Sequence, residues 1–320
     1  MNYLKQYFSK QCIAITCCLG IMYAGLAQTD IDAIMMEKNA FCAGPMYSYS
    51  SWKKYWEGTF KRENLNLGKV STQMYSIMGN YGITRKLNAL FSVPYVKTKA
   101  SVGTLSGLDG IQDFSLFLKW RPFQKKLGPG KLSLFGIAGV SFPVSDYVAD
   151  LLPVSIGLKS KTASARVMAD YQIGNWFATG SATYVLRDNI ELDRDAYYTT
   201  EMHYSNEVEM PDAANFNFRA GFRNQRLIAE AVLNSWKTLG GFDITRNNMP
   251  FPSNRMNATA AGVNIKYVLP PLPQMSIVAG GMHTLSGRNV GQSATVYGSI
   301  FYVFDFSKKT KSSDKSSKTN

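Results

Sequence analysis

Ser293-Ala-Thr-Val-Tyr-Gly-Ser-Ile-Phe-Tyr-Val-Phe-Asp-Phe306 decides how the rest of this chain is read. Alternate residues divide into two faces. One carries Ala294, Val296, Gly298, Ile300, Tyr302, Phe304 and Phe306; the other carries Thr295, Tyr297, Ser299, Phe301, Val303 and Asp305. A period of two is that of a β-strand. An apolar face ending in aromatic residues suits a strand whose outside touches lipid, with Phe304 and Phe306 at the interface. The expectation is an all-β protein, a transmembrane antiparallel β-barrel, whose closing strand is read by the barrel-assembly machinery.

Working back from that strand, the same pattern recurs in segments of about ten residues. Candidate strands fall near 45–56, 68–83, 87–96, 111–121, 131–142, 163–173, 176–186, 214–223, 227–236, 256–269, 275–285 and 293–306. Their connections alternate in length. Short ones lie at 84–86, 122–131, 174–175, 224–226 and 270–273, and longer ones at 57–67, 97–110, 143–162, 187–213, 237–255 and 286–292. Twelve strands, an even number, with short periplasmic turns, long outside loops and both termini periplasmic, are what a single-chain outer-membrane barrel requires. No run of 18 apolar residues follows Ala27, which excludes a helical membrane protein. Pro94 lies within a candidate strand, and a bulge or early bend is expected there.

The chain's start agrees with export. Residues 1–27 read as a signal peptide, with Lys5 and Lys10 before an apolar stretch and Gly25-Leu26-Ala27 as the cleavage pattern. Cleavage leaves 33 Lys and Arg against 22 Asp and Glu, and Cys42 as the one cysteine, so no intramolecular disulfide forms. An exported basic chain meets no nucleic acid; outer-membrane lipid, lipopolysaccharide and anionic solutes are its expected partners. Residues 28–44 form an N-terminal periplasmic or lumen-plugging segment, 45–306 the barrel, and 307–320 a disordered basic periplasmic tail.

Parity assigns the charges to the lumen. Phe216, Phe218, Ala220 and Phe222 oppose Asn217, Arg219, Gly221 and Arg223, and comparable alternation runs through Phe114–Arg121, Arg166–Ile173 and Leu227–Asn234. The lumen-lining and selectivity candidates are Asp113, Lys119, Arg121, Arg166, Asp170, Arg219, Arg223, Glu230, Lys266 and Asp305. A basic excess among them favours anionic or carboxylate-bearing solutes. The alternative is that they pair and fill a small barrel, with Arg219 and Arg223 facing Glu230 across a hairpin. Ile31, Ile34, Met35 and Phe41 would form a short amphipathic helix able to plug the lumen. All five tryptophans sit near strand ends, and Trp52, Trp56, Trp120 and Trp176 suit an interfacial belt; Trp236 has inward parity.

Chemistry is sparse. The acidic loop 187–213 lacks the calcium-loop pattern and reads as a solvated outer loop bridged by divalent ions to lipopolysaccharide. His283 and Ser286 are three apart, so a regular strand turns them to opposite faces and they cannot share a proton. No metal-ligand cluster, cofactor motif or catalytic residue is expected.

Tyr47-Ser-Tyr-Ser-Ser-Trp-Lys-Lys-Tyr-Trp-Glu57, Asn80-Tyr-Gly-Ile-Thr84 with Leu87-Asn88, Val93-Pro94-Tyr95, and Gly110-Ile-Gln-Asp113 leading to Lys119-Trp120 carry a resemblance. In these stretches the chain resembles the outer-membrane transporter family named for the phenol-degradation meta-pathway, related to long-chain fatty acid channels. The resemblance implies passive passage of small hydrophobic or aromatic compounds and transfers no catalytic residue. The leading expectation is such a channel. A closed barrel whose loops bind a surface partner is the alternative, and a lipid hydrolase ranks third.

Overall fold

The computed structural model describes residues 29–245 and 249–307. The expected signal segment and the tail beyond Ser307 lie outside the described residues. Twelve strands form the wall: β1 (Ala40–Trp52), β2 (Val70–Thr84), β3 (Leu87–Ala100), β4 (Asp113–Leu127), β5 (Gly130–Pro143), β6 (Thr162–Ile173), β7 (Trp176–Arg187), β8 (Ala213–Arg223), β9 (Leu227–Thr238), β10 (Asn257–Val268), β11 (Met275–Arg288) and β12 (Ala294–Asp305). Sequential strands pair antiparallel, and β1 pairs with β12 from Ala40↔Asp305 to Ser51↔Ala294. The sheet therefore closes, leaving no row of unpaired backbone groups for lipid to meet.

Loop lengths sort by end. Arg85-Lys86, Gly128-Pro129, Gly174-Asn175, 224–226 and 269–274 make the short-turn end. Gly128 (φ +57°) and Gly174 (φ +56°) supply the left-handed backbone that two-residue hairpins need. The other end carries six connections, five of them of 12 residues or more and the sixth, 289–293, of five. No helix among the described residues is long and apolar enough to cross a membrane; this chain crosses with strands. Large apolar side chains such as Phe216, Phe218, Leu118, Val167, Val263 and Val296 stand exposed on the wall, as a lipid-facing surface requires.

Several boundaries shift by a few residues from the sequence reading, and three departures have local reasons. First, β1 begins at Ala40, five residues before position 45, because Ala40 to Ala43 find partners on β12. Second, the stretch 122–131 is not a turn. A bulge between Trp120 and Phe123 absorbs Pro122, and β4 continues to Leu127. A bulged residue needs no ladder donor, so proline is tolerated there. Third, Pro94 neither bends nor bulges β3: it pairs in register with Ser76. The interruption falls on the neighbouring chain instead, where Gln112 separates Asp109–Ile111 from β4 and donates its N–H to the Pro94 carbonyl at 2.9 Å.

The long loops fold on one another. Ala149, Ile190, Leu192, Tyr197, Val208 and Met210 form a small core that joins loop 144–161 to loop 188–212, and Arg194 bridges to Asp150. Tyr147 donates to Asp113 Oδ1 (2.7 Å) and accepts the Lys159 N–H (2.8 Å). Burial first, then the Asp113 carboxylate, pushes the Tyr147 phenol well above its ordinary value. Trp56 is buried in the first long loop, where its indole lies against Gly287, and Trp52 packs over Gly291. Neither indole is part of a lipid belt, a correction to the sequence reading. Trp120, Trp176, Phe304 and Phe306 are exposed on the wall near the short-turn end. Trp236 lies under the Arg187 guanidinium.

Candidate functional site

Inward positions on β8 and β9 build the first half of the site. Arg219 Nη1 reaches Glu230 Oε1 at 2.5 Å, and Asn264 of β10 donates to the same oxygen at 2.9 Å. Arg219 Nε donates to Asn217 Oδ1 at 2.9 Å. Both charges are nearly excluded from water, so each depends on its hydrogen-bond partners. Arg223 does not join them across the hairpin as expected. It turns the other way, over the Phe177 ring, and forks onto both Asp170 oxygens at 3.2 Å. Thr179 also donates to Asp170, at 2.6 Å. Gly221, opposite Glu230, has no side chain, and its missing Cβ would meet the backbone of Ala229 and Glu230.

The second half is the segment before β1, which runs up the lumen. Its root is fixed by the Asn39 N–H on the Gly82 carbonyl (2.8 Å) and the Phe306 N–H on the Asn39 carbonyl (2.9 Å). Met36 packs with Ala40, Cys42, Phe301 and Val303, and Ala33 with Phe135, Ile137 and Met168. Three ion pairs hold it: Glu37 meets Arg85 Nε at 3.4 Å at the exposed root, and two more lie within the lumen. Lys119, wholly buried, places Nζ 2.9 Å from Asp32 Oδ1 and 2.8 Å from the Thr29 carbonyl. Arg166 Nη1 meets Asp30 Oδ2 and the Asp30 carbonyl, each at 2.8 Å.

The segment is not the expected helix. Asp32 holds a turn, accepting from Thr29 N (2.5 Å), Thr29 Oγ1 (3.0 Å) and Ile34 N (3.0 Å). Met35 lies against the Ala33 cluster, and Ile31 and Ile34 face the lumen. Phe41 belongs to β1 and stacks on Phe91 and Phe304, so it is a wall residue and not part of the plug.

Between plug and wall lies a cavity of about 470 Å³. Met46, Met74, Met78, Met282, Val278 and Phe301, from β1, β2, β11 and β12, give it an apolar side. Arg219, Glu230, Asn264 and Lys266, from β8 to β10, give it a polar side, and Tyr297 spans the two with its hydroxyl on Asn264 Oδ1 (3.1 Å). Such a cavity accepts a solute with an apolar body and a polar end.

Of the lumen candidates, Lys119, Arg166, Asp170, Arg219, Arg223, Glu230 and Lys266 therefore come together around plug and cavity. Asp113 sits apart at the long-loop end under Tyr147. Arg121 lies at the short-turn rim, donating to the Arg85 carbonyl, and Asp305 lies there too, accepting from Ser307. The methionine side was not singled out from sequence, nor were Asp30 and Asp32 as latches. His203 bonds Thr199 Oγ1 (2.8 Å) and His283 bonds the Gln292 amide (3.3 Å). Among the described residues no three His, Cys, Asp or Glu side chains are arranged to hold a metal.

The family model described as "Putative MetA-pathway of phenol degradation" matches residues 66–300. The chain belongs to this family. Among solved structures it is similar to an outer-membrane channel from Pseudomonas putida F1, with a TM-score of 0.69 at 12% identity over 87% of this chain and 100% of that one. The translocator domain of the autotransporter NalP from Neisseria meningitidis follows at TM-score 0.44, 11% identity, 86% of this chain and 91% of that one. The monoaromatic hydrocarbon channel CymD aligns at TM-score 0.40, 9% identity, 85% and 89%. No curated protein matches at a significant level. The fold is that of an outer-membrane channel.

Proposed function

We propose that this barrel is a bacterial outer-membrane channel for passive passage of small, partly hydrophobic or aromatic solutes, with residues 29–39 as its internal plug. The observation that carries this reading is the cavity between plug and wall, methionine-lined on one side and hydrogen-bonding on the other. Thioethers take aromatic faces well, and a fixed polar side orients a substituent. The chain acts as a conduit, without a cofactor and without catalysis. In the native membrane the short-turn end faces the periplasm, the basic tail follows there, and a signal at 1–27 is removed on export. Phe306 closes the strand presented to the barrel-assembly machinery, and the acidic loop 188–212 meets lipopolysaccharide.

Liposome flux tests the reading. Wild-type protein passes a neutral aromatic alcohol slowly, and deletion of residues 29–38 speeds that flux and raises planar-bilayer conductance. A correctly folded deletion variant that stays silent in both assays defeats it. One observation favours a second reading, in which the folded outer loops bind a surface partner: loops 144–161 and 188–212 share an apolar core of their own. The silent outcome is the one that this alternative requires.

A further inference from the structure

Inside the lumen two of the plug's carboxylates, Asp30 and Asp32, meet the wall, and the wall answers with two cations placed in one row. Lys119 of β4 pairs in register with Ile137 of β5, and Ile137 with Arg166 of β6. Two strand spacings put the cationic residues roughly 10 Å apart at the backbone. The floor between and beside them is apolar: Ile137, Phe135 and Met168, with Phe117 packed against them. Arg166 is oriented in advance, since Thr183 Oγ1 accepts its Nε–H at 2.6 Å and leaves Nη1 for the lumen. Apart from Thr29, Asp30, Asp32, Ala33 and Met35 of the plug, the row is a wall site with charge at both ends and apolar surface between.

We infer that Lys119 and Arg166 form a binding site for the carboxylate of a small apolar-bodied solute, and that the plug's Asp32 and Asp30 occupy it as built-in competitors. The inference rests on the channel reading and adds the solute's charged group. Formally, an anion that takes either cation weakens one latch of the plug, so binding and unplugging are linked. Withdrawal of the plug also changes the lumen's field. Around the plug the wall holds Lys119, Arg166, Arg219 and Arg223 against Asp170 and Glu230, so the unplugged pore prefers anions.

Benzoate and its neutral isostere benzamide are the probes, titrated calorimetrically against the full-length protein in detergent, where no flux is needed. Asp30→Asn/Asp32→Asn binds benzoate at least tenfold more tightly than wild type, and benzamide binding changes less than twofold. Adding Arg166→Gln removes the gain. The single changes Asp30→Asn and Asp32→Asn act in the same direction by smaller factors, and heat-modifiable gel migration reports the folded barrel for every variant. In planar bilayers the double variant's reversal potential under a KCl gradient shifts toward chloride. Equal responses to benzoate and benzamide, or no tightening in folded variants, overturn the inference. Tightening with no flux of any solute leaves this site standing and removes the channel reading instead.

Discussion

Gly82 stands so close to Glu37 that a Cβ on the glycine would lie 2.0 Å from the Glu37 carbonyl oxygen. The plug can enter the lumen along β2 only because position 82 has no side chain. Both offending groups are backbone, so neither swings aside as a side-chain tip would. Gly82→Ala displaces the root of the plug, together with the Asn39 bond to the residue 82 carbonyl. Higher single-channel conductance with unchanged heat-modifiability is the expected result. Wild-type conductance in that variant would show that the root is not fixed here.

Removing one half of the Arg219–Glu230 pair leaves the other charge buried without its partner. Arg219→Leu should destabilise the barrel by about 3–5 kcal/mol, as for buried pairs generally. Replacing both, as Arg219→Leu with Glu230→Leu, should recover most of that loss, although Asn264 then loses an acceptor. Urea unfolding in lipid vesicles measures both, and equal losses in the single and double variants would contradict the pairing.

The lipid face carries its own prediction. Val263 points outward midway along β10 and is 57% exposed. Val263→Lys should cost about 2–4 kcal/mol in membrane-inserted stability. A substitution that costs nothing in vesicles would mean that this face does not meet hydrocarbon.

At the long-loop end, Asp243 receives Arg288 Nη2 at 2.5 Å and the Asn289 amide at 2.7 Å. The Arg288 hydrogen bond, against a smaller burial effect, holds the Asp243 carboxyl below its ordinary value. A group depressed in the folded state contributes its stability above the unfolded value, about 3.9, and loses it as pH falls through the folded one. The clamp should hold at neutral pH and loosen only in acid below about pH 4. Asn289 Oδ1 accepts the Gly58 and Ile244 N–H groups at 2.7 and 3.2 Å, so hydrogen exchange at those amides reports the loosening. Asp243→Asn should flatten the pH dependence.

Strand count and closure are legible because a wall with lipid outside imposes strict alternation, and Phe216–Arg223 displays it without exception. Alternation failed where both faces are apolar. Met74 and Met78 line the cavity while Tyr75 and Ile77 face outward, and a rule of charge inside and apolar outside cannot separate them. Pairing across a hairpin was read correctly for Arg219 and Glu230. It failed for Arg223, whose partner Asp170 lies two strands away, because sequence proximity says nothing about which way a long side chain turns. For the segment before the first strand the sequence leaves two places open, the periplasm or the lumen, and its helical pattern is not the form observed. A helix satisfies its own backbone, whereas this segment has Lys119 and Arg166 to bond its carbonyls.

The bond from the Phe306 amide to the Asn39 carbonyl, and the packing of Met36 on Phe301 and Val303, tie the seat of the plug to the last strand. Until that strand zips onto β1, the root of residues 29–38 lacks part of its seat, although its ion pairs lie on β4 and β6. The stopper is thus fully seated only once the cylinder is complete, which couples closure of the wall to the fit of what lies inside it.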